Sequence, residues 1–110
     1  MPKNTKFGAL YIVATPIGNL EDISKRGLMT LSKVHLCAAE NTKNSKKLLK
    51  KHNLSTPLVS YHKYSEESKL NFLISTLKSG EDVGLISDAG TPLISDPGYL
   101  LVNKALEEGI

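Results

Sequence analysis

One cysteine, Cys37, among 110 residues excludes an internal disulfide. In the run Val34 to Ala39 it reads as a small buried residue. The three histidines, His35, His52 and His62, have no tight ligand spacing and no cysteine partners, so no metal site is expected. No run approaches the roughly 18 apolar residues of a membrane span. The start, Met1 to Lys6, is basic, but the apolar run after it, Leu10 to Ala14, is too short for the core of a secretion signal. A cytoplasmic chain with no membrane partner is therefore expected. Neither GxGxxG nor GxxxxGK[ST] occurs, which leaves no support for a Gly-rich phosphate cradle. Internal repeats and low-complexity linkers are also missing.

What is there is an ordinary globular composition, 40% hydrophobic and 23% charged. Fourteen Lys+Arg against eleven Asp+Glu give a net charge of +3, a mild excess that suits a polyanionic partner. Short β-rich runs alternate with helical stripes. Strands are expected at Leu10–Ala14, Val34–Ala39, Leu58–Tyr61 and Val83–Ser87. Helices are expected over about Asp22–Lys33, capped by Asp22 or Ser24, then Thr42 to about His52, then Glu66–Lys78. The third carries the clearest stripe, Leu70, Leu73, Ile74 and Leu77, with Gly80 as its stop. A last helix runs from Pro97, capped by Asp96, to about Glu108, with Leu100, Leu101, Lys104 and Ala105 defining its faces. Such alternation implies right-handed crossovers and an α/β fold with a mostly parallel sheet flanked by helices. After the last helix the pattern calls for another strand, so residues 1–110 read as one domain of a longer protein.

The densest feature is SDAGTPLISDPG, Ser87 to Gly98, directly after the apolar run Val83 to Ile86. A buried strand that opens into a Gly/Pro-rich loop is how open α/β sheets build a ligand site beyond the carboxyl ends of their strands. A second such loop, Thr15 to Asn19, follows the first strand. Both open at the same sheet edge. Backbone groups, the Asp88 carboxylate and the Thr15 and Thr91 hydroxyls suit a nucleoside-type cofactor without a polyphosphate.

The segments LYIVATPIGNLEDI (10–23), AAENTKNSKKLL (38–49) and SDAGTPLISDPGYLLV (87–102) together resemble the RsmI family of small-subunit ribosomal RNA ribose methyltransferases, built on the tetrapyrrole methylase fold. The resemblance covers nearly the whole chain from about residue 7. It implies the N-terminal domain of a two-domain enzyme whose C-terminal domain is absent here. It also implies methyl transfer from S-adenosylmethionine to the 2′-hydroxyl of a cytidine in the decoding region of 16S ribosomal RNA, and a homodimer. Carried over position by position, it implies cofactor contacts at Thr15, Pro16, Ile17, Ser87, Asp88, Ala89, Gly90 and Thr91. The middle motif departs from the family: Glu40-Asn41-Thr42-Lys43 stands where Glu-Asp-Thr-Arg is usual. Asn41 loses a carboxylate, and Lys43 keeps the charge but loses a bidentate fork.

Lys43, Lys46, Lys47, Lys50 and Lys51 recur at helical spacing with no interleaved Glu. Like charges so placed repel by a few tenths of a kcal/mol per pair. Lys43, Lys46, Lys47 and Lys50 are expected to contact ribosomal RNA phosphates. The segment Tyr61-His62-Lys63-Tyr64 suits either stacking on a splayed base or packing as a loop. Glu40, at the end of the second strand, is a candidate base for the hydroxyl proton or a substrate ligand, or else a cap for the second helix. Two other readings stay open: a tetrapyrrole or other small-molecule methyltransferase of the same fold, and an RNA-binding module without activity of its own.

Overall fold

The computed structural model describes residues 7–15, 23–40, 42–61, 67–88 and 97–110. Four strands, β1 (Leu10–Thr15), β2 (Leu36–Ala39), β3 (Leu58–Ser60) and β4 (Val83–Asp88), alternate with four helices. These are α1 (Lys25–Lys33), α2 (Thr42–Lys51), α3 (Glu67–Lys78) and α4 (Pro97–Glu107). All strand pairs are parallel, in the order β1-β4-β2-β3. The expected α/β class and parallel sheet are what the chain adopts.

Direction of travel sets the helix layers. From β1 through β2 to β3 the chain moves one way across the sheet, and it reverses to reach β4. Right-handed crossovers then place the helices of the two directions on opposite faces. The core divides accordingly. On one face Leu31 of α1 and Leu48 and Leu49 of α2 pack with Val13, Cys37, Ala39 and Ile86. On the other, Leu73, Ile74 and Leu77 of α3 and Leu101 and Ala105 of α4 pack with Leu36, Ala38, Val83 and Leu85. Packing is tight at Gly84 of the central strand β4, where a Cβ would lie 3.1 Å from Cys37 Sγ. Burial pushes the Cys37 thiol up to about 12, so it stays protonated at neutral pH and packs as an apolar group.

Element boundaries follow local chemistry. Ser24 caps α1, its hydroxyl accepting the Gly27 N–H at 2.9 Å, so the helix begins at Lys25; the other cap candidate, Asp22, lies outside the described residues. Val34 closes α1 by donating its N–H to the Thr30 carbonyl, which delays β2 to Leu36. Three helices end in the same double hydrogen bond. Leu54 N–H reaches Leu49 O and Asn53 N–H reaches Lys50 O after α2; Glu81 to Thr76 with Gly80 to Leu77 closes α3; Ile110 to Ala105 with Gly109 to Leu106 closes α4. Each turn needs a left-handed residue, supplied by Asn53 (φ 60°), Gly80 (φ 99°) and Gly109 (φ 83°). Of α4's expected faces, Leu101 and Ala105 turn inward while Leu100 is exposed. Tyr61 is 3% exposed within the α3/α4 core, which overturns base stacking for that ring. His62, Lys63 and Tyr64 lie outside the described residues.

Candidate functional site

The site begins where β1 and β4 end. The two strands pair along their whole length, and their last pair is Thr15 with Asp88. Both strands run one residue further than expected from the sequence, and Thr15 and Asp88 are the last of their described residues. From there the chain departs in opposite senses: toward α1 on one face after β1, and toward α4 on the other after β4. Two adjacent parallel strands whose connections leave to opposite faces open a crevice at their carboxyl ends. This is the place where open α/β sheets bind nucleoside-containing ligands.

That geometry brings together the strand ends from which the two loops singled out in the sequence start. Thr15, Ser87 and Asp88 are fixed at this edge by backbone register. Pro16, Ile17, Ala89, Gly90 and Thr91 lie outside the described residues. Glu40 stands at the same edge: it follows Ala39, which pairs with Ile86 of β4 and with Ser60 of β3. One residue beyond that register, Glu40 is level with Ser87, about one strand spacing (~4.8 Å) away in backbone. It is exposed, as a group that meets an incoming substrate must be. Asn41 lies outside the described residues.

The lysine stripe occupies α2, and Lys43, Lys46, Lys47, Lys50 and Lys51 are all exposed. The opposite side of the helix, Ser45, Leu48 and Leu49, is buried against the sheet. The structure adds something that spacing did not show. Lys43, Lys46 and Lys50 line one wall of a groove of about 770 Å³ between α2 and β3, and Lys47 is not part of that lining. Leu54, Pro57 and Leu58 line the groove as well, as do hydroxyl residues including Ser60. The second wall was missed in the sequence, where Asn53 to Pro57 reads as a plain connection. The available signal was Asn53: an Asn just past a helical stripe marks a left-handed turn that folds the chain back onto the helix.

Comparisons with known proteins identify the family and the fold. The family described as Tetrapyrrole (Corrin/Porphyrin) Methylases matches residues 9–110. Among curated relatives, a ribosomal RNA small subunit methyltransferase I from Mycoplasmopsis pulmonis is 54% identical over 101 residues, covering 92% of this chain and 46% of the relative. The protein of the same name from Haemophilus influenzae is 52% identical over 103 residues, covering 94% of this chain and 36% of the relative. The chain thus spans between about a third and a half of the relatives' length. Among solved structures, a uroporphyrin-III-C-methyltransferase from Thermus thermophilus has the same fold, with a TM-score of 0.71 at 20% identity over 94% of this chain and 44% of that one. With its parallel sheet and this match over residues 9–110, the chain belongs to the tetrapyrrole (corrin/porphyrin) methylase family.

Proposed function

We propose that this chain is the N-terminal, cofactor-bearing part of an S-adenosylmethionine-dependent methyltransferase. Its substrate would be the 2′-hydroxyl of a cytidine in the decoding region of 16S ribosomal RNA. The observation that carries the reading is the pairing of Thr15 with Asp88 at the point where α1 and α4 diverge, in a chain about half identical to small-subunit ribosomal RNA methyltransferases. The donor set fits the cofactor. A nucleoside without a polyphosphate needs backbone groups, short hydroxyls and a carboxylate rather than a Gly-rich phosphate loop, and this edge offers those. Thr15, Pro16 and Ile17 would hold it from the β1 side, and Ser87, Asp88, Ala89, Gly90 and Thr91 from the β4 side. Bound there, S-adenosylmethionine supplies an electrophilic methyl group.

The chain's own residues then have two tasks. Lys43, Lys46, Lys47 and Lys50 attract and orient the RNA backbone. Glu40, at the same edge, accepts the proton that the ribose oxygen loses as its bond to carbon forms. Alignment carries much of the rate, because a ribose hydroxyl is a weak acid and a poor nucleophile unless held in line. The same reading includes a homodimer and a cytoplasmic location.

The test is transfer of labelled methyl from S-adenosylmethionine to isolated small ribosomal subunits by the full-length protein, with the RNA digested to nucleosides. Label in 2′-O-methylcytidine supports the reading. Label in a base, or transfer only to a tetrapyrrole, contradicts it.

A further inference from the structure

From Asn41 to Ser65 the chain carries six lysines and no Asp or Glu. Five of those lysines lie on α2, whose first turn has no acid to complement the helix dipole. Lys43 sits in that first turn, against the dipole, and like-charged neighbours crowd every step after it. Lys50 and Lys51 suit the dipole in the last turn, but Lys43 and the crowding of like charges cost the helix stability, which points to a partner outside it. The groove between α2 and β3 supplies the form of that partner. Lys43, Lys46 and Lys50 form a cationic wall, and Leu54, Pro57 and Leu58 form an apolar one.

The apolar wall is preorganised. The double hydrogen bond at Asn53 and Leu54 fixes the turn out of α2. Thr56 donates its hydroxyl to the Leu31 carbonyl at 2.6 Å, and the Pro57 carbonyl accepts the Cys37 N–H at 2.9 Å. The groove therefore stands open without depending on a ligand to order it.

Building on the methyltransferase reading, we infer that this groove is a track for single-stranded RNA, which it delivers to the cofactor edge. Phosphates lie along Lys43, Lys46 and Lys50, and bases lie against Leu54, Pro57 and Leu58. A double helix keeps its bases stacked inside and presents mainly sugar and phosphate to such a surface, whereas a single strand sets a base beside every phosphate and so meets both walls at a regular repeat. At about 1.5 Å of rise per residue, Lys43 and Lys50 are about 10 Å apart along α2, which matches about three nucleotides of stacked strand at ~3.4 Å each. The groove also has a direction. Thr42 and Ser60 line the end where β2 and β3 finish, beside Glu40, and Leu54 lines the other. RNA lying in it points at the sheet edge that carries Thr15 and Asp88.

The test compares two charge-matched double variants of the full-length protein, one inside the groove (Lys46→Gln with Lys50→Gln) and one outside it at exposed lysines with no assigned RNA contact (Lys33→Gln with Lys51→Gln). The readout is fluorescence anisotropy with a fluorescein-labelled single-stranded oligoribonucleotide across a salt series. The inside pair is expected to lower the slope of log affinity against log salt by about 1.4, and the outside pair to leave it unchanged. Crosslinking with a thiouridine-containing oligonucleotide is expected to label the peptide spanning residues 54–60. Equal slopes for the two pairs, or crosslinks confined to other peptides, overturn the track. So does RNA duplex or polyglutamate binding as tightly as the single strand. Methyl transfer measured on the same proteins separates the two claims. Transfer by wild type with equal slopes removes the track and keeps the enzyme. No transfer by wild type, with the slopes split, removes the enzyme and keeps the track.

Discussion

Helices α2 and α3 pack on opposite faces of one sheet, are 10 and 12 residues long, and close with the same double hydrogen bond. Each buries a leucine pair: Leu48 and Leu49 in α2, Leu73 and Leu77 in α3. Their outer faces differ completely. In α3, Glu67 lies in the first turn and Lys78 in the last, the order that suits the helix dipole. In α2 every charge is positive, from Lys43 in the first turn to Lys51 in the last. Two helices with the same structural task thus differ in outer charge: α3 carries Glu67, Lys69 and Lys78, and α2 carries lysine alone.

The inner faces should behave alike. Leu48→Ala in α2 and Leu77→Ala in α3 remove side chains that are 2% and 0% exposed, and each should cost about 2–5 kcal/mol in denaturant unfolding. A loss below about 1 kcal/mol at Leu48 would mean that α2 is not an equal part of the core. The closing turns come next. Gly80→Ala (φ 99°) and Asn53→Ala (φ 60°) should each cost about 1–2 kcal/mol, while Asn53→Gly should be neutral or slightly stabilising.

The outer faces should respond with opposite sign. Lys43→Glu places an acid in the first turn of α2 and should raise stability by about 0.3–1 kcal/mol while weakening RNA binding. Glu67→Lys in α3 should lower stability by a similar amount and leave RNA binding alone. Destabilisation by Lys43→Glu would remove the contrast between the helices. The smallest effect belongs to Glu108, whose carboxyl Lys78 of α3 holds below the usual carboxylate range by hydrogen bond and charge, with Lys104 at 3.6 Å. A carboxylate lowered in the folded state stabilises above its ordinary range, and that contribution fades as pH falls through the folded value. Because the pair is solvent-exposed, Glu108→Gln should leave Tm nearly unchanged at neutral pH and slightly flatten its decline in acid.

Much of this architecture was legible because it is written in local signals. Apolar runs bounded by Gly and Pro marked the strands, and the Leu70 to Leu77 stripe marked α3. The alternation implied parallel pairing, and the structure brings the carboxyl ends of β1 and β4 side by side through the Thr15–Asp88 pair. Where local signals compete, the boundaries moved. Val34 has strand character, yet its N–H completes α1, so β2 starts later. The residues beyond Thr15 and Asp88 named for the cofactor lie outside the described residues, so their placement rests on family resemblance. The groove was not legible at all. Its second wall comes from residues 54–58, tied to Cys37 and Leu49 by backbone hydrogen bonds and to Leu31 by the Thr56 hydroxyl, long-range ties that leave no mark on a local side-chain pattern. Helical spacing grouped Lys47 with Lys46, whereas only Lys46 of the two lines the groove.

The central claim, that this fold serves ribose methylation of small-subunit ribosomal RNA, is tested most directly by mass mapping of that RNA from cells with and without the gene. The account predicts one 2′-O-methylated cytidine in the decoding region that disappears on deletion and returns on complementation. An unchanged methylation map after deletion would contradict it.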